Sequence, residues 1–165
     1  MPTLRRFPIV ATCVVATALC GCVSLSRSSA VTPLAMTSGG YRVTAITVTT
    51  GQGVGARPEF AGIFEQHVGT RLSACATGTH SLRLEASIDR LSRANPAQVM
   101  IVGGANVLRG HARLVDPATG RVVGEYEIGK TIMGSRFGIF QMAQSEEQLS
   151  DAFASELCDQ AFATN

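Results

Sequence analysis

The stretch "GANVLRGHARLVDPATGRVVGEYEIG", residues 104–129, decides the fold. Leu108, Gly110, Ala112 and Leu114 alternate with Arg109, His111 and Arg113; Val122, Gly124, Tyr126 and Ile128 alternate with Glu125 and Glu127. A period of two marks half-buried strands. Between the two runs stands Asp-Pro-Ala-Thr-Gly (116–120), whose residues suit a tight reversal. This predicts a hairpin with strands over 106–116 and 121–129, apolar on one face and charged on the other. Glu125 and Glu127 are expected to pair across the strands with Arg109, His111 and Arg113.

Working outward, "SLRLEASIDRL" (81–91) alternates in the same way, with Leu82, Leu84, Ala86 and Ile88 on one side. "YRVTAITVTT" (41–50) is rich in β-branched residues, and its apolar phase slips between Ala45 and Ile46, which predicts a bulge or burial on both faces. Two stretches have helical spacing instead. In 58–75, Phe60, Phe64, Val68 and Leu72 recur every four residues after Pro58. In 145–162, Ser145 stands as N-cap, Glu146 and Glu147 suit the helix dipole, and Leu149, Phe153, Leu157 and Ala161 form the stripe.

The order is β-α-β-β-β-α. It predicts an α+β fold: a mainly antiparallel four-stranded sheet with two helices on one face. Following chain direction through these elements, both helices run the same way. The loops 51–57, 92–105 and 129–144 then gather at one end. They carry Ile101, Val102, Ile132, Met133, Phe137, Ile139 and Phe140, a candidate partner-binding loop set. The alternative is that these residues tuck back onto the core.

The chain has 165 residues, 45% hydrophobic and 16% charged, which suits one globular domain. Removing Arg5 and Arg6 from the 14 basic residues leaves 12, matching the 12 acidic ones, so no electrostatic pull on nucleic acid is expected. Basic residues concentrate before residue 114 and acidic ones after it, which reads as two solvated faces that attract each other. The glycine-rich "GQGVGARP" (51–58) lacks the Gly-Lys-Ser/Thr ending of a phosphate loop. His67, His80 and His111 are isolated in sequence, without metal-ligand spacing. No Gly-x-Ser-x-Gly elbow occurs. Neither catalytic residues, nor a metal, nor a cofactor is expected, and a non-catalytic role is favoured. The alternatives are an envelope hydrolase, or a small-ligand carrier with a cavity lined by Val107, Val115 and Val123.

The N-terminus, "MPTLRRFPIVATCVVATALCGC", has a signal-peptide layout: Arg5 and Arg6, an apolar run from Phe7 to Leu19, then small residues. The run is short of the roughly 20 residues that a spanning helix needs. "Leu19-Cys20-Gly21-Cys22" resembles the lipobox of bacterial lipoproteins, with Cys20 a mild departure from the usual Ala or Ser. The resemblance implies cleavage before Cys22 and acylation of its sulfur and amino group. Several acyl chains, at about 0.8 kcal/mol per buried methylene, anchor a protein stably. By the same resemblance Val23 implies sorting to the outer membrane, with the domain facing the periplasm. The expected divisions are a signal peptide over 1–21, a lipidated flexible tether over 22–40 that enters beside the 116–120 turn, and a periplasmic domain over 41–162. The membrane, through the anchor, and envelope proteins are the expected partners.

With Cys13 and Cys20 removed and Cys22 acylated, Cys75 and Cys158 remain in a compartment where disulfides persist. The parallel helices let the two lie side by side, so a bridge is expected; two buried thiols are the alternative. From residue 104 onward the hairpin and its acidic-capped final helix are also similar to small bacterial lipoprotein domains. The layout resembles TolB-type and curli-secretion-type periplasmic domains, which implies roles in envelope assembly, transport or scaffolding.

Overall fold

The hairpin lies at the centre of the sheet. The computed structural model describes residues 23–93, 104–134 and 145–163. Its elements are β1 (Val23–Ser26), β2 (Ser29–Thr32), β3 (Tyr41–Thr50), α1 (Phe60–Cys75), β4 (His80–Ser92), β5 (Gly104–Val115), β6 (Val122–Gly134) and α2 (Ser145–Leu157), which runs into a π-helical turn at Cys158–Phe162. The six-stranded sheet is ordered β1-β6-β5-β4-β3, with β2 following β1 along the same edge of β6. β3 and β4 are parallel and joined through α1; the other pairs are antiparallel. The sheet is therefore mainly antiparallel, as expected, but mixed through the β3–β4 pair and six-stranded instead of four-stranded.

The two added strands come from the stretch expected as a tether. Val23 stands opposite Met133 and Ser26 opposite Lys130, while Ser29 stands opposite Glu127. β1 finds its partner because β6 continues past Gly129 to Gly134, while β2 lies along the part of β6 before Gly129. The chain after Cys22 thus enters at the Met133 end of the sheet, not beside the 116–120 turn. Beyond β2, the Leu34 amide donates to the buried Tyr126 hydroxyl at 2.8 Å, which fixes the segment that leads to β3.

Elsewhere the alternation holds. Leu82, Leu84, Ile88, Leu108, Leu114, Tyr126 and Ile128 point to the helices and are buried. Phe60, Phe64, Val68 and Leu72 of α1 and Leu149, Phe153 and Leu157 of α2 meet them. The rings of Phe64 and Phe153 pack edge-on at 5.2 Å and join the two helices. The slip in β3 is a bulge between Val43 and Ala45. Where the loop before β4 crosses the start of β3, a side chain on Gly78 would place its Cβ 2.0 Å from the Gly40 carbonyl carbon, so only glycine fits.

α1 and α2 run the same way and end together. Cys75 and Cys158 are joined by a disulfide, with Cα atoms 5.9 Å apart and a sequence separation of 83. Of the candidate loop residues, Ile101, Val102, Phe137, Ile139 and Phe140 lie outside the described residues, as does Cys22. Ile132 and Met133 lie on strand β6 and not in a loop: Ile132 packs against the core and Met133 is exposed on the other face.

Candidate functional site

The helices cover one face of the sheet, and the other carries its charge. Across β5 and β6, Arg113 stands opposite Glu125 and His111 opposite Glu127, in the expected register. The ion pairs close on the other neighbour instead. His111 Nε2 lies 3.1 Å from Asp89. Arg113 lies 3.5 Å from Glu85, which also holds Arg83 at 2.8 Å. The bulge in β4 between Ile88 and Arg90 brings Asp89 within reach of His111. These pairs are exposed, so each contributes only about 0–1 kcal/mol.

A second cluster is buried. The Glu146 side chain is 0% exposed, although its place in the first turn of α2 predicted only a dipole role. It accepts hydrogen bonds from the Arg57 amide at 3.1 Å and from Arg57 Nε at 2.7 Å, with Arg93 3.7 Å away. Arg57 also donates to Glu147 at 3.1 Å. The Glu146 bond first, and the Glu147 bond after it, raise the Arg57 guanidinium further above its ordinary pKa. A buried carboxylate already engaged by a guanidinium and an amide serves to tie the 51–59 loop to α2. Together with Asp151, which meets His67 at 3.2 Å and Arg71 at 3.6 Å, it is where the basic and acidic halves of the chain attract each other.

A third cluster joins β1 to α2. Glu156 accepts hydrogen bonds from Ser26 Oγ, from Lys130 Nζ at 3.0 Å and from Gln160 Nε2 at 3.2 Å. Burial pushes its pKa up, but the bonds from Ser26, Lys130 and Gln160 together outweigh burial and hold the carboxyl below the ordinary glutamate value. A folded-state pKa that is depressed gives stability that is present above the unfolded value and lost as pH falls through the folded one. Glu156→Gln is therefore expected to cost about 1–2 kcal/mol at neutral pH. The gap to the parent chain should close as pH drops below about 4. Urea unfolding of both chains across that range checks this; a gap that stays constant with pH would count against the charge-based clamp.

The histidines occupy three separate places, since His80 bonds the Ser38 carbonyl at 3.2 Å and His67 and His111 meet different aspartates. The three valines named for a ligand-carrier cavity have different surroundings. Val115 is buried and Val107 half-buried, while Val123 lines a groove of about 440 Å³ with Tyr41, His80 and Asp116. Sequence reasoning missed Arg57, Glu146 and the Ser26–Glu156–Lys130 clamp. The one signal present was the segregation of basic and acidic residues.

No family model and no curated protein matches the chain. Solved structures do. The fold is similar to that of PelC from Paraburkholderia phytofirmans. That protein is a dodecamer; the match has a TM-score of 0.54 at 12% identity and covers 86% of this chain and 100% of the PelC chain. A single-residue variant of PelC matches with a TM-score of 0.49 at 15% identity over the same shares. Protein XCC0632 from Xanthomonas campestris matches with a TM-score of 0.49 at 11% identity, covering 79% of this chain and 88% of its own. At such identities the likeness to PelC is one of fold.

Proposed function

We propose that this chain is a lipid-anchored envelope protein, acylated on Cys22 and facing the periplasm from the outer membrane. It acts without catalysis, as a scaffold or accessory subunit in envelope assembly or transport. The position of β1 carries this reading. β1 begins at Val23, the residue after Cys22, and pairs with β6 from that residue on. A lipid on Cys22 would hold the folded sheet itself at the bilayer, one Cα step of about 3.8 Å away. The Cys75–Cys158 bridge suits an oxidising compartment.

The fold shared with the PelC dodecamer supports assembly from like copies. The two edges of the sheet differ. β3 offers a ten-residue edge, whereas the opposite edge is broken into β1 and β2. Contact between unlike edges is heterologous and builds rings when its rotation closes.

Two measurements test the proposal. Labelling cells with an acyl-chain probe should mark the parent chain and leave Cys22→Ala unlabelled and released from the membrane fraction. Unchanged labelling of the variant would remove the anchor. Native mass spectrometry of the detergent-extracted chain should show an oligomer; a monomer at all concentrations would remove assembly from like copies.

A further inference from the structure

We propose that the uncovered sheet face, at its Cys22 end, docks on the anionic headgroups of the membrane that holds the anchor. This deepens the reading of Cys22 as the acylated residue and rests on it.

The face is graded along the strands. Nearest Cys22 it is apolar: Met133, opposite Val23, is 45% exposed, and Leu25, opposite Thr131, is 52% exposed. Next comes a cationic band. The Arg27 amide donates to the Gly129 carbonyl at 2.8 Å, and the Gly129 amide donates to Ser28 Oγ at 3.1 Å. These bonds lay the β1–β2 connection against β6. Glycine is required there, because a Cβ on residue 129 would sit 2.6 Å from the Arg27 carbonyl oxygen. Arg27 and Arg109 line two adjoining grooves around Gly129, of about 170 and 360 Å³, and Arg90 stands opposite Arg109 in register.

None of these three arginines has an ion-pair partner among the described residues. Arg83 and Arg113, further along the same face, are each held by Glu85. Glu127 also lines the smaller groove, so the band is positive by excess and not by exclusion of acid. Past it lie the paired charges, and then the 116–120 turn. Apolar side chains, free cations and paired charges therefore follow one another away from Cys22, in the order in which a bilayer presents acyl chains, headgroup phosphates and water. Basic residues held near an anionic surface are attracted by its potential, and exposed Leu and Met beside them add apolar contact.

The chain lacks tryptophan, so a single introduced one reports its own surroundings. The full acylated chain, as Leu25→Trp, Met133→Trp or Ala118→Trp, is reconstituted into vesicles of brominated phosphatidylcholine with and without phosphatidylglycerol. With phosphatidylglycerol present, quenching at positions 25 and 133 should exceed that at 118 severalfold. Adding Arg27→Glu and Arg109→Glu to Leu25→Trp should remove most of that excess, as should high salt. Circular dichroism confirms that each variant is folded. A chain that floats with the vesicles but shows equal quenching at all three positions overturns the docking and leaves the anchor standing. A chain that does not float overturns the anchor and the docking with it. Strong quenching that is indifferent to phosphatidylglycerol and to the arginine substitutions overturns the headgroup contact.

Discussion

Replacing Cys75 and Cys158 together by serine is expected to lower stability by about 4 kcal/mol. The bridge spans 83 residues, and it removes most of the freedom of that loop from the unfolded chain. It also joins the ends of both helices, so its loss frees α1 and the turn after α2 at once. Equilibrium unfolding of the purified chain, without reductant, reads the difference. The parent chain in excess reductant should fall to the value of the serine variant. A difference below about 1 kcal/mol would mean that the unfolded chain is already restricted by other means.

Phe153→Ala is expected to cost about 3–5 kcal/mol. Phe153 is fully buried, and its ring meets Phe64 edge-on at 5.2 Å, while Phe64 in turn meets Phe60 at 5.7 Å. The side chain fills the space where both helices and the sheet meet. Such an aromatic pair adds about 0.5–1.5 kcal/mol to the area it buries. Phe153→Leu keeps most of the volume and should cost markedly less, about 1 kcal/mol. Thermal unfolding of the three chains orders them; equal losses for Ala and Leu would argue against a cavity as the cause.

What was legible in the sequence follows from periodicity. Two-residue alternation placed the inward residues of β4, β5 and β6, and four-residue recurrence placed the stripes of α1 and α2. Chain direction then put Cys75 beside Cys158. The edge strands were hidden because "VSLS" and "SAVT" are too short to show a period and are rich in serine. The extension of β6 was hidden by Lys130, a cation on the helix side of the sheet. Only the fold reveals that Glu156 on α2 answers its charge. Glu146 was misjudged for a related reason. An acid in the first turn of a helix reads the same whether it is solvated or buried, and its partner Arg57 lies 89 residues away. The charged face was half legible. Alternation placed Arg109, His111 and Arg113 on it, but that Glu85 and Asp89 of β4 answer Arg113 and His111 follows from strand order and register and not from side-chain pattern.

The start of β1 directly after Cys22 has a mechanical consequence. A pull applied ahead of Val23, outward along the strand, acts on β1 in line with its axis. It therefore loads the four residue pairs from Val23–Met133 to Ser26–Lys130 together, in shear, instead of opening them one at a time. Ser26 passes part of the load through Glu156 to α2, which the disulfide ties to α1. Tension applied ahead of Val23 is thus spread over sheet and helices before β1 is drawn out.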